Sequence, residues 1–245
     1  TFSIGDSSPT MTIDQNEITQ VDITDNTNCD TANGEIQIFG VEEDGNFIDF
    51  ASNANYSLAW SSANAFVNNT VDVANDHITG LSEGTYSVVI TNTTSSCVTA
   101  SIDIEIVDIT TNPTVQMTAS TGDTFCDATN NNLGDGTITI EIDEPGFTFN
   151  LANYSVEWYR GSHATAPGTA DPDFLYDDAA TASGANVGSA ALTGGSILTL
   201  EGLEIGDYTV FIEKNNVASP NEGCEIISTF SIGDSSPTMT IDQNE

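Results

Sequence analysis

ITGLSEGTYSVVI, from Ile78 to Ile90, and LEGLEIGDYTVFI, from Leu200 to Ile212, are one element written twice. Each carries Gly-Leu-x-x-Gly-x-Tyr and then an alternating apolar run, Tyr86-Ser-Val-Val-Ile90 or Tyr208-Thr-Val-Phe-Ile212. Period-two alternation rich in Val, Ile, Thr, Tyr and Phe, entered through glycines, is the signature of a half-buried β-strand behind a tight turn. Moving outward, the agreement continues in order. NYSLAW (Asn55 to Trp60) and NYSVEW (Asn153 to Trp158) precede the two elements. Before those come Cys29-Asp30 with a turn at Asn33-Gly34 and EIQIFG, and Cys126-Asp127 with a turn at Asp135-Gly136 and TITIEI. Downstream, CVTASIDIEI from Cys97 matches CEIISTFSI from Cys224.

No segment sustains an i, i+3, i+4 apolar pattern, so both halves are predicted all-β. Several short strands with turn signals between them predict two tandem immunoglobulin-like β-sandwich domains. Tyr86 and Tyr208 match a tyrosine corner, in which a phenol bonds a backbone group at the turn entering its strand. Trp60 and Trp158 suit the central strand of the opposite sheet. The Pro-Thr hinges at Pro9, Pro113 and Pro237 divide the chain. Residues 1–8 end one repeat, 9–112 and 113–236 are sandwiches, and 237–245 begin the next. The second sandwich carries a long insertion at 161–196.

The largest-scale feature is an unchanged copy. TFSIGDSSPTMTIDQNE, from Thr1 to Glu17, recurs as Thr229 to Glu245, an offset of 228 residues. A tandem array leaves such a copy when it is cut slightly longer than one period. The chain is therefore expected to be one period of a longer array, with any signal peptide or anchor elsewhere in the parent.

Charge narrows the partners. Thirty-seven Asp and Glu face two bases, Arg160 and Lys214, for a net charge of −35. Nucleic acid and anionic membrane surfaces are excluded, because the phosphate term is repulsive. No apolar run is long enough for direct membrane insertion. At 38% hydrophobic residues the composition is still that of a folded protein. From Pro9 to Asn112 there is no Lys or Arg, so the carboxylates there must be solvated, bonded to backbone N–H groups or neutralised by cations.

Candidate sites follow from these counts. Asp171, Asp173, Asp177 and Asp178 place four carboxylates within eight residues of the insertion, a candidate calcium site, although the spacing is not that of an EF-hand. Phe174, Leu175 and Tyr176 beside them either anchor the insertion or form an exposed recognition tip. Glu42-Glu43-Asp44, Asp143-Glu144, Asp108 and Asp234 are further acidic groups that calcium could bridge at a hinge. Cys29, Cys97, Cys126 and Cys224 form no CxxC or Cys/His cluster, which argues against zinc. Of three pairings, Cys29–Cys97 and Cys126–Cys224 are favoured, one per half, implying an oxidising compartment. His77 and His163 have no nucleophile motif beside them, and no catalytic residues are assigned.

Taken in order, Cys, Asx-Gly-x-Ile-x-Ile, Tyr-Ser-x-x-Trp, Gly-Leu-x-x-Gly-x-Tyr-x-Val and Cys resemble the repeats of SprB-type gliding-motility adhesins of Bacteroidetes, over roughly residues 9 to 232. The chain departs from the simplest such pattern in lacking Gly-Gly before Tyr-Ser-x-x-Trp and in its insertion. The resemblance implies a giant extracellular, cell-surface adhesin filament exported by the type IX pathway. Its partners would be neighbouring repeats and a surface polysaccharide or other surface component. Asp30-Thr31-Ala32 resembles the Bacteroidetes O-glycosylation site at Thr31. A structural and adhesive repeat is the leading expectation. A carbohydrate-binding or spacer module of a secreted polysaccharide-degrading enzyme, or a surface-layer lattice protein, are the rivals.

Overall fold

A computed structural model describes residues 9–126, 134–168, 170–177, 189–193, 196–216 and 220–240. The chain divides into two compact units, Thr1–Thr110 and Thr111–Glu245. Among the described residues both are built from strands and short turns, with no α-helix.

The first unit runs β1 (Met11–Thr12), β2 (Val21–Thr24), β3 (Gly34–Ile38), β4 (Gly40–Glu43), β5 (Asn46–Asp49), β6 (Tyr56–Ser61), β7 (Val67–Asn69), β8 (His77–Leu81), β9 (Gly84–Asn92) and β10 (Ile102–Ile106). One sheet has the order β2-β3-β8-β7 and the other β10-β9-β6, with β1-β4-β5 as a small third sheet. All these pairings are antiparallel. Four strands on three in this order is the arrangement of a constant-type immunoglobulin sandwich.

The second unit runs β11 (Thr114–Thr121), β12 (Gly136–Asp143), β13 (Tyr154–Arg160), β14 (Phe174–Asp177), β15 (Ser189–Thr193), β16 (Ile197–Leu203), β17 (Gly206–Lys214) and β18 (Glu225–Ile232). Its sheets are β11-β12-β16-β15 and β14-β13-β17-β18. The same scheme returns with one strand added, β14, which pairs with β13. The insertion at 161–196 is therefore not all loop: it supplies β14 and β15, the outer strands of the two sheets.

One expectation is corrected by the register. Trp60 on β6 lies opposite Val88 on β9, and Trp158 on β13 lies opposite Val210 on β17. The tryptophan strand is thus the neighbour of the tyrosine strand in one sheet, not a strand of the opposite sheet. Two elements far apart in sequence meet edge to edge, which alternation within either one does not reveal.

The cores follow the alternation. Ile36 and Ile38 of β3 face Tyr86, Val88 and Ile90 of β9 and Ile104 and Ile106 of β10, all fully buried. In the second unit Ile138, Ile140 and Ile142 of β12 pack with Val156, Trp158, Tyr208, Val210 and Ile212. Each aliphatic side chain removed from water contributes about 1.5–3 kcal/mol.

The paired glycines are required by the backbone. Gly80 and Gly202 have φ of 72° and 77°, and Gly84 and Gly206 have φ of 146° and 149°. The last two values are open essentially to glycine alone. Between them Leu81 and Leu203 plunge into the core. Gly34 and Gly136 act differently. A Cβ there would sit 2.6 Å and 2.7 Å from the carbonyl oxygens of Leu81 and Leu203, so close approach, not a positive φ, requires glycine.

Candidate functional site

Each unit presents two built ends, one where the chain comes in and one where it leaves. At the trailing end of the first unit, Asn26 N–H donates to Val107 O and Ile109 N–H donates to Asn26 O. The second unit repeats this bonding with Asp123, Gly233 and Ser235. Asn33 Oδ1 accepts from Thr27 N–H at 2.8 Å, and Asp135 Oδ1 accepts from Thr124 N–H at 2.6 Å. These side chains explain the Asx before each strand-opening glycine. Tyr86 Oη donates to Ser82 O and Tyr208 Oη donates to Glu204 O, both at 2.9 Å and both four residues back. The clefts at these ends match position by position. Asn26, Cys29, Ser82, Glu83, Asp108 and Thr110 line one, and Asp123, Cys126, Glu204, Ile205, Asp234 and Ser236 line the other.

The leading ends carry a hydrogen-bonded acid, half-buried in the first unit and buried in the second. In the first unit Tyr56 Oη donates to Glu43 Oε2 at 2.5 Å, and Asn92 Nδ2 lies 3.4 Å from both Glu43 oxygens. Burial, reinforced by the Glu43 carboxylate, pushes the Tyr56 phenol up to about 12. In the second unit Glu144, Lys214 and Asn221 are all nearly inaccessible to solvent. Lys214 Nζ donates to Glu144 Oε1 and lies 5.3 Å from the Phe147 ring centre and 5.8 Å from that of Tyr154. Asn221 Nδ2 donates to the same oxygen at 3.4 Å, while its Oδ1 accepts from Thr111 N–H at 2.9 Å. Burial is the largest single influence and raises the Glu144 carboxyl, but the hydrogen bonds it accepts, that from Lys214 foremost, together with the Lys214 charge outweigh burial and hold it below the usual carboxylate range. Sequence reading grouped Glu43 and Glu144 with surface acids. The missed signal was a tyrosine at the start of each Tyr-Ser-x-x-Trp element, aimed at them.

The predicted disulfides are corrected. Cys29 and Cys224 are disulfide-bonded, whereas Cys97 and Cys126 carry free thiols. Neither Cys29–Cys97 nor Cys126–Cys224 forms, because the members of each pair occupy opposite ends of one sandwich. Cys29 lies with Glu83, just before β9, whereas Cys97 O accepts from Asn92 N–H at the far end of that strand. Cys126 lies with Ile205, just before β17, and Cys224 O accepts from Lys214 N–H at its far end. A nine-residue strand spans about 27 Å, far beyond the ~7 Å between Cα atoms that a disulfide allows.

Of the four insertion carboxylates, those of Asp171 and Asp173 are described. Asp171 Oδ1 accepts from Asp173 N–H at 2.9 Å, closing a turn, and Asp173 lies 3.8 Å from His163. The side chain of Asp177 and the whole of Asp178 lie outside the described residues. Among the described residues no group of three or more His, Cys, Asp or Glu could hold a metal ion. Phe174 and Leu175 are buried, with Phe174 edge-on to Tyr159 at 5.6 Å, so they anchor the insertion and do not form a recognition tip. Asp108 accepts from Thr110 N–H at 2.9 Å and Asp234 from Ser236 N–H at 2.7 Å; hydrogen bonding from the Ser236 side chain, and then from its N–H, holds Asp234 below the usual carboxylate range. Thr31 is exposed, on the loop between β2 and β3.

An open groove of about 810 Å3 lies on the second unit, lined by Gln116, Glu141, Asp143, Phe147 and Phe149. No protein-family model matches the sequence, and no curated protein matches it at a significant level. Among solved structures the chain is similar to three N-terminal domains of the outer capsid protein Hoc of bacteriophage RB49, at 14% identity and a TM-score of 0.33, covering 93% of this chain and 71% of that one. It is similar to the Escherichia coli adhesin FdeC at 11% identity and a TM-score of 0.25, covering 87% of this chain and 63% of that one. Domains 5–6 of the S-layer protein SbsC match at 11% identity and a TM-score of 0.26, covering 94% of this chain and all of that one. Likenesses this low bear on neither function nor partners.

Proposed function

We propose that this chain is a structural and adhesive repeat of a long extracellular filament on a bacterial cell surface, serving attachment and gliding motility. The observation that carries the proposal is the unchanged return of residues 1–17 at 229–245, after two sandwiches built to one plan. Each sandwich receives the chain at one end and releases it at the other, the connectivity a string of links needs. Bonds at both ends support that role: Thr10 N–H to Asp44 Oδ1 at 3.0 Å where the chain comes in, Ile109 N–H to Asn26 O where it leaves. A net charge of −35 discourages lateral aggregation and favours an extended array. The chain acts without catalysis in this reading, its immediate partners are neighbouring repeats, and export would follow the type IX route of the adhesins it resembles.

Release of the parent polypeptide from the cell surface, followed by denaturing, reducing electrophoresis, tests this. A chain of hundreds of kilodaltons, made of many periods, is expected. A parent with a single copy beside an unrelated domain would make the sandwiches a spacer or binding module. The groove near Phe147 and Phe149 favours that second reading in one respect. Aromatic faces beside carboxylate and amide groups are the chemistry of a sugar-binding cleft. Calorimetric titration with soluble polysaccharides tests the groove itself, and the size of the parent polypeptide separates the two readings.

A further inference from the structure

The cysteines follow the ends of the sandwiches rather than their interiors. Cys29 and Cys126 occupy equivalent clefts at the trailing ends of the first and second units. Cys97 and Cys224 occupy equivalent turns at the leading ends, where Asn92 N–H and Lys214 N–H reach their carbonyls. The bonded cysteines, Cys29 and Cys224, are one of each class, and so are the two free thiols, Cys126 and Cys97. Cys126 is exposed and Cys97 half-exposed, so both can meet a partner. After the trailing end of the second unit the sequence re-enters Ser-Pro-Thr-Met at 236–239, identical to Ser8 to Met11 before the first unit. In an array, the next leading end after Cys126 is that of the following copy, and its cysteine is Cys97.

We infer that Cys126 of one period forms a disulfide with Cys97 of the period that follows, a bond within the parent chain that clasps successive periods. The inference rests on the array reading above. Two thiols lose two protons and two electrons, one S–S bond forms, and the oxidant is a thiol–disulfide oxidoreductase whose own disulfide is reduced to a dithiol. The accessible thiols, Cys97 half-exposed and Cys126 exposed, then have a defined use.

The test compares the present chain with one extended by a second 228-residue period, both purified without reductant and titrated with a maleimide in denaturant. The present chain is expected to react at two thiols. The two-period chain is expected to react at two as well, its first Cys97 and its last Cys126. Cys97→Ser in the second period alone should raise the count to three, by releasing the Cys126 that precedes it. Four reactive thiols in the unmutated two-period chain would overturn the bond while leaving the array standing. A parent polypeptide holding one copy would overturn the array and the bond together.

Discussion

Single residues show how a chain almost without bases handles its acids. Asp76 is fully buried, and its carboxylate accepts from Val71 N–H and Asp72 N–H at 2.7 Å and from Val73 N–H at 3.1 Å. Three backbone donors do here what a lysine does elsewhere. Asp76→Ala strands all three, at about 1–3 kcal/mol for each buried group left unsatisfied. Urea unfolding followed by Trp60 fluorescence should show the first unit destabilised and the second, reported by Trp158, unchanged. Lys214 is the contrasting solution. Lys214→Met leaves Glu144 buried and unpaired, and should cost the second unit about 3–5 kcal/mol at neutral pH. The double change Lys214→Met with Glu144→Gln should recover most of that loss. The pH dependence has a definite sign. Glu144 is held below the usual carboxylate range, so its contribution is complete above that range. It is lost as pH falls through the lower folded-state value. Acid unfolding of the second unit should therefore be shallower in Lys214→Met than in the parent, because less stability is there to lose.

At the scale of the element, the Gly-Leu-x-x-Gly-x-Tyr turn, which carries the chain from one sheet to the other, is specified by two glycines of different kinds. Gly202, at φ 77°, lies near the left-handed region that Asn also enters, whereas Gly206, at φ 149°, does not. Gly202→Asn should cost under about 1 kcal/mol, and Gly206→Asn about 1–3 kcal/mol. Nothing lies within 4 Å of a Cβ built on Gly206, so its cost is backbone strain and not a clash. Equal costs at the two positions, measured by thermal unfolding, would refute this division. Much of the element was legible in advance. The tyrosine, its turn and the strand after it share one local motif, and the hydroxyl returns only four residues. The outer strands β14 and β15 were not legible. Both lie in an Ala, Gly, Ser and Thr-rich stretch, and β14 is fixed by Phe174 packing on Tyr159 and Phe211, contacts with strands far along the chain.

For the whole molecule, electrostatics set the expected response to solvent. Thirty-seven acids and two bases make self-repulsion, not ion pairing, the dominant long-range term. Added sodium chloride screens that repulsion, with a Debye length falling from about 30 Å at 0.01 M to about 3 Å at 1 M. The melting temperatures of both units should therefore rise with salt. The first unit should rise more, since it has no Lys or Arg from Pro9 to Asn112. A flat or falling melting temperature would mean that the acids are neutralised in some other way, by bound cations for instance.

The sequence by itself determined what depends on neighbours along the chain. Alternation set the strands and the buried faces, and the paired motifs set two like sandwiches. These are short-range or repeated signals, carried by side-chain period and backbone conformation. Only the tertiary structure decided what depends on which ends of strands meet. It placed the tryptophan strand beside the tyrosine strand, turned Glu43 and Glu144 inward, and set the two cysteines of each half at opposite ends of a sandwich. The physical reason lies in the length of the strand. Nine extended residues carry the chain from one end of the domain to the other, so like positions in sequence order become remote in space, and pairing by order alone fails.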